Sequence, residues 1–258
     1  MNLDLTGKRA LVCGASQGIG AAIAHQLASM GCSVIALARS EDKLANVLKS
    51  LPGKGHYSIS LDIGDQELLE KSVAGELADG PIHILINNSG GPKPGPISQA
   101  EPEAFMAGFR NHILAASLLV RLLLPGMKEA GYGRIINIIS TSVKVPIPHL
   151  GVSNTVRGAM ANWAKTLSIE VAPFGITVNN VLPGFTDTPR LTALIEANAA
   201  KQGKPAEDVA EAWKQSVPAK RFAEPRETAA ATAFLASPAA AYINGVNLPV
   251  DGGRTGCL

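Results

Sequence analysis

Aromatic residues are scarce in this chain, with two tryptophans, three tyrosines and six phenylalanines among 258 residues. That leaves too few flat side chains for a base-stacking nucleic-acid platform. Charge of one sign is lacking too: the formal net charge is +2 and no five basic residues follow one another, so there is no electrostatic footprint for a polyanion. Cys13, Cys32 and Cys257 have neither disulfide nor metal-ligand spacing. They fit two buried small hydrophobes and a tail thiol in a reducing cytoplasm, with no metal site expected. No apolar run of membrane-spanning length stands out. The N-terminal MNLDLTGKRALVCG carries Asp4 and moves straight into a strand-like run, so neither a membrane span nor a signal peptide is expected.

What is present is a pattern of buried strands. Hydrophobic residues make up 46% and charged residues 17%, as in a folded globular chain rather than a disordered one. KRALVCG, CSVIALAR, HYSISLDI, HILINNSGG, GRIINIIS, GITVNNVLPG and GVNLPVDGG are rich in Val and Ile and barely alternate with polar residues. Strands covered on both faces have that composition. Longer helical patterns separate them, which predicts one α/β domain over residues 1–258. Its architecture is a Rossmann-type doubly wound parallel sheet of about seven strands with right-handed crossovers. An Ala-rich, charged, helical stretch over about 186–218 interrupts the alternation. It leaves from a strand end on the ligand side, where a helical lid over a substrate would belong; a solvated helical pair is the alternative.

Two motifs speak to a ligand. CGASQGIG places Gly14, Gly18 and Gly20 between a strand and a helix. Such glycines allow a tight turn and let the backbone approach a pyrophosphate at a helix N-terminus. The second strand ends in ALARS, with Ala38 where a ribose-binding carboxylate would stand and Arg39 after it. An arginine there suits a 2′-phosphate, so NADP(H) is expected over NAD(H). Ser40 is the candidate N-cap of a helix beginning at Glu41.

With these motifs in order, the chain resembles the short-chain dehydrogenase/reductase family, of the type that includes 3-oxoacyl-carrier-protein reductases, over nearly its whole length. CGASQGIG is similar to the family's TGxxxGxG, with Cys13 for Thr. NNSGG is similar to NNAG, with Ser89 for Ala. The resemblance implies a cofactor site from Gly14, Ser16, Gly18, Ile19, Gly20, Arg39, Asp62, Asn88, Gly90, Pro183, Gly184 and Thr186. It implies a catalytic serine at Ser140 and the family's helix asparagine at Asn111. It also implies a small carbonyl or alcohol substrate and a homotetramer or homodimer, built on the helices around 102–128 and 154–170.

One departure stands out. In the family pattern a tyrosine lies about thirteen residues after the serine and a lysine four residues further on. Here those positions hold Ser153 and Arg157, a register also anchored from behind by AKTLSIEVAPFGITVN. A phenol starts near pKa ~10 and can be tuned by a neighbouring cation. A serine hydroxyl is far less acidic, and an arginine stays protonated. His149, just upstream, is a candidate proton donor, imidazole being the side chain suited to proton transfer near neutral pH. Lys93 and Lys144 are weaker candidates, and His112 is expected to turn away from the site because Asn111 turns inward. Three readings follow: a reductase with a relocated acid or bound water, a non-catalytic NADP(H)-binding sensor or assembly partner, and non-redox chemistry of the halohydrin dehalogenase kind. The third ranks last, since those relatives keep the tyrosine and lose the glycine motif.

Overall fold

The structure, a computed structural model, describes Met1–Cys257. Its sheet is parallel throughout, with seven strands: β1 (Arg9–Cys13), β2 (Ser33–Ala38), β3 (Tyr57–Ser60), β4 (Ile84–Asn87), β5 (Gly133–Ile138), β6 (Ile176–Pro183) and β7 (Asn247–Val250). They lie in the order β3-β2-β1-β4-β5-β6-β7. The chain winds outward from β1 in one direction and then from β4 in the other, so a crevice opens where the order reverses.

The strands are apolar on both faces because both faces are covered. Ala10 and Val12 of β1 look toward helices α1 (Gly18–Ser29), α2 (Glu41–Ser50) and α9 (Pro225–Ala236). Leu11 and Cys13, the alternate residues, look toward α3 (Gln66–Glu76), α5 (Ala115–Glu129) and α6 (Gly151–Val171). Period-two geometry divides each strand between two cores. Cys13 and Cys32 are buried and Cys257 is exposed, all three as free thiols. Ser40 is the N-cap of α2, though its side chain makes no capping hydrogen bond.

The membrane expectation needs a correction of detail. The helix spanning Pro102–Glu129 has 28 residues and holds an 18-residue window of mean hydropathy 1.3, enough by length and composition to cross a bilayer. In the fold, Leu118, Leu119, Leu123 and Met127 of this helix are buried against the sheet. The apolar stripe is therefore that of a core helix. The same helix is not uniform: α4 (Pro102–Phe109) joins α5 through a π-turn at Arg110–Leu114. A local widening of this kind changes which side chains share a face, and it recurs at functional sites.

Between β6 and α9 stand α7 (Pro189–Gln202) and α8 (Ala206–Gln215). They have a small apolar core of their own, built from Leu191, Ile195, Ala199 and Val209. Phe185 stacks on Trp213 with centroids 4.9 Å apart, and the Arg254 guanidinium lies over Phe185 at 4.1 Å. Thr188 starts α7 by accepting a hydrogen bond from the Leu191 N–H, with Pro189 preset for the first turn.

Candidate active site

The sequence-derived cofactor residues lie along one edge of the sheet. Gly14 follows β1, Arg39 follows β2, Asp62 follows β3, Asn88 follows β4, Ser140 lies two residues beyond β5, and Pro183 ends β6. This is the carboxyl edge where doubly wound folds bind ligands. The first turn has no room for larger residues. A β-carbon on Gly14, which has φ +64°, would lie 2.5 Å from the Asn88 carbonyl oxygen, and one on Gly20 would collide with the Gly14 carbonyl. Asn88 Nδ2 donates to the carbonyl of Cys13 at 3.2 Å, pinning the end of β4 to the turn. A β-carbon on Gly18, which has φ +56°, would lie 3.1 Å from the methyl of Thr188, so the start of α7 closes over the same turn. Ser16 and Ile19 are half-buried in this loop. Gly184 packs against the Asp251 backbone, and Thr186 is buried beneath α7.

At the far end of the cleft, Ala38 is buried as the last residue of β2 and offers no carboxylate. The side chain of Arg39 is 80% exposed and stands 3.7 Å from Asp62. An exposed pair at that distance is weak. The guanidinium is therefore available to a phosphate, while Asp62 is also engaged by the Gly64 N–H at 2.9 Å. These residues fit a dinucleotide carrying a 2′-phosphate: close-approach glycines at the pyrophosphate end and a free cation at the ribose end.

Near the middle of the edge lies a small cavity of about 10 Å³, close to the least that holds one water. Ser89, Asn111, His112, Arg157 and Met160 line it. Arg157, on α6, is only 8% exposed. Its guanidinium donates to the carbonyl of Ile138 at 3.0 Å and to that of Ser89 at 3.4 Å. Among the described residues no carboxylate pairs with it. Burial, and then the like charge of Arg190, lower its pKa to about 10.

His112 corrects the sequence reading. It does not turn away: it is buried and lines the same cavity as Asn111, with Nδ1 2.6 Å from the Ser89 hydroxyl. The π-turn is the reason, since the wider backbone lets two consecutive residues reach one cavity. Burial, and then the Arg157 charge, depress its pKa to about 2, so the ring is neutral. Its Nε2 is buried without a hydrogen-bond partner. Asn111 packs against the loop after β3, its Oδ1 lying 2.5 Å from where a β-carbon on Gly64 would be.

The remaining candidates are more open. Ser140 Oγ accepts from the Ser142 N–H at 3.1 Å, which leaves its own hydrogen free to donate. Ser153 is half-buried, one helical turn before Arg157 on α6. His149 is exposed, with a left-handed backbone at φ 62°. Lys93 is exposed and Lys144 half-buried. None of these five lines the cavity that holds Arg157 and His112. Sequence reasoning missed Arg190 altogether. On α7, its guanidinium donates to the carbonyl of Pro92 at 3.0 Å, tying that helix to the proline loop. No motif marks it.

A glycine-lined turn under a doubly wound sheet, with a phosphate-compatible arginine beyond it, defines a dinucleotide-binding α/β protein. Comparison with known proteins narrows this. The sequence profile of a family described as enoyl-(acyl carrier protein) reductase matches residues 14–255. A 3-oxoacyl-[acyl-carrier-protein] reductase from Vibrio harveyi is 35% identical, over 97% of this chain and 98% of its own length. An NADPH-dependent reductase from Bacillus subtilis is 33% identical, over 96% and 98%. Among solved structures, L-sorbose reductase from Gluconobacter frateurii, complexed with NADPH and L-sorbose, superposes with a TM-score of 0.92 at 30% identity, over 100% of both chains. The chain belongs to the short-chain dehydrogenase/reductase family.

Proposed function

We propose that this protein is an NADP(H)-dependent oxidoreductase that interconverts a small carbonyl and its alcohol, with Ser153 and Arg157 in place of the family's tyrosine and lysine. The observation that carries this reading is the completeness of the cofactor edge. Gly20 sits where any side chain would strike the Gly14 carbonyl, and Arg39 is open to a 2′-phosphate. The NADPH-dependent relatives support the same cofactor.

The bound nicotinamide would supply or accept the hydride. Ser140, whose hydroxyl hydrogen is free, donates to the substrate oxygen. Arg157, cationic at neutral pH, stabilises the negative charge that grows there. Neither group is a good acid. The proton comes from water or from His149, and Ser153 orients it from the preceding turn of α6. Losing a tuned phenol costs roughly 10²–10⁴ in rate, so turnover is slow. Asn111 shapes the floor of the site, and α7 with α8 form its lid. The protein works in the cytoplasm as a tetramer or dimer. Exposed Met106, Leu114 and Ile169 on α4–α6 support that assembly, and light scattering on the purified protein tests it.

One observation favours a second reading, a non-catalytic NADP(H) sensor or assembly partner: the Arg157 fork is already committed to two main-chain carbonyls. NADPH oxidation across a carbonyl panel, with NADPH binding measured in the same samples, separates the two. Turnover that falls in Arg157→Ala or His149→Ala supports the enzyme. Tight binding without turnover supports the sensor.

A further inference from the structure

One buried histidine is poorly placed for stability. His112 is 6% exposed, and Ala115, Ala116, Ile138, Ile139 and Met160 line the same cavity. A leucine would meet these neighbours with no polar atom, whereas the imidazole leaves Nε2 buried and unpartnered. Such a group lowers stability, so its place is explained by what the other ring nitrogen does. Nδ1 lies 2.6 Å from the Ser89 hydroxyl. The main-chain carbonyl of the same serine accepts from Arg157 Nη2 at 3.4 Å, while Arg157 Nη1 donates to the Ile138 carbonyl at 3.0 Å. One end of the arginine fork is therefore on a strand residue paired within the sheet, and the other is on a loop residue.

That loop does not fix the Ser89 carbonyl by itself. Asn88 before it is pinned to the first turn, but Gly90 and Gly91 follow it. A glycine leaves the peptide that carries the Ser89 carbonyl free to turn. A bond on the serine side chain restricts that freedom, because the rotamer and the backbone angles of a residue depend on one another. From these contacts we infer that His112 is a positioning residue: by holding the Ser89 hydroxyl it fixes the Ser89 carbonyl, and so aims the Arg157 guanidinium at the substrate oxygen. In the register set by the sequence, Ser89 and Arg157 replace an alanine and a lysine. An alanine has no hydroxyl and a lysine no fork, so the chain of contacts needs both replacements. The aim at a substrate oxygen rests on the reductase reading, and the chain of contacts does not.

Rotation of the Arg157 guanidinium about its Nε–Cζ bond tests this directly. It is read by NMR on NADPH-bound protein labelled with nitrogen-15 arginine, with Arg157→Lys identifying the signals. In the parent the two Nη signals should be separate, since both fork ends are held. His112→Leu and Ser89→Ala should each speed the rotation at least tenfold. Ser89 is half-buried, so its variant should fold even if the histidine variant does not. His112→Asn puts an amide where Nδ1 stands and should restore slow rotation, which a merely space-filling role would not require. On the carbonyl panel, kcat should fall at least tenfold in the first two variants and recover with asparagine, while NADPH affinity holds in His112→Leu. In an Arg157→Lys background, His112→Leu should cost nothing further, because residues that act through one another are not additive. Unchanged rotation in both His112→Leu and Ser89→Ala overturns the inference. So does an equal kcat loss with arginine or lysine at 157, or faster rotation in a protein whose kcat is unaffected. If rotation responds as expected but the parent oxidises NADPH with no carbonyl, the positioning chain stands and the reductase reading fails.

Discussion

The Arg157 guanidinium on α6 donates to the carbonyl of Ile138, the last residue of β5, at 3.0 Å. This contact joins the helix that bears Ser153 to the strand that leads to Ser140. The residue is nonetheless a buried, unpaired cation. Replacing it with methionine removes two hydrogen bonds, each worth about 1 kcal/mol net, and strands two carbonyls at about 1–3 kcal/mol. It also removes a desolvation penalty of several kcal/mol. The opposing contributions are similar in size. Arg157→Met should therefore leave unfolding free energy within about 2 kcal/mol of the parent by urea titration. Any reductase activity should fall at least tenfold. A protein that unfolds outright would mean the two carbonyl bonds dominate.

If Ser153 and Arg157 do stand where the family keeps tyrosine and lysine, restoring that pair should raise turnover. The double variant Ser153→Tyr with Arg157→Lys supplies a phenol and a neighbouring ammonium, and proton transfer from a positioned acid is worth roughly 10²–10⁴. Ser153 is half-buried, so the ring has one open side. Ser153→Tyr alone should gain less, because Arg157 is held by the Ile138 and Ser89 carbonyls. Steady-state kcat on a neutral ketone, for the two variants and the parent, decides it. No gain in the double variant would mean that the proton is not what limits the rate.

On the proposed reading, Arg39 selects the cofactor. Its exposed guanidinium has only a weak partner in Asp62. Arg39→Ala should weaken NADPH binding by tenfold or more and leave NADH binding almost unchanged. The NADPH preference should also shrink with added salt, since an exposed phosphate contact is screened. Fluorescence titration of both cofactors is sufficient. Equal losses for NADPH and NADH would move the 2′-phosphate contact elsewhere.

Much of this was legible in the residues, and the exceptions have physical causes. Apolar residues on both strand faces and the glycine turn follow from period and steric need, so the sheet and its ligand edge could be read directly. Arg39 was legible because it directly follows Ala38, which stands at the end of a strand where a carboxylate would otherwise be. His112 was not. Its burial depends on a π-turn at Arg110–Leu114, which no propensity in RNHIL announces. Arg190 was hidden for another reason: it meets Gly91 from a distant part of the chain, and its contact partner on the proline loop is a backbone carbonyl. Backbone acceptors leave no signature in side-chain identity.

Acid should destabilise the fold through two histidines. Burial, and then Arg157, hold His112 down to about 2; burial, and then Lys8 and Arg9, hold His83 down to about 4. Unfolded histidine titrates near ~6.5. Below that pH the unfolded chain takes up protons that the folded chain refuses, so stability is full above about 6.5 and falls as the pH drops. For His112 the slope is about 1.4 kcal/mol per pH unit once the unfolded side chain is fully protonated. His83, whose Nδ1 accepts from the Arg9 N–H at 3.2 Å, adds a smaller loss in the range above about 4. Urea midpoints at pH 7 and pH 5 should differ for the parent protein. His112→Asn should flatten that difference, because asparagine does not titrate. An unchanged pH dependence in that variant would mean that His112 charges in the folded state, with the Ser89 hydroxyl accepting a hydrogen bond from the charged ring.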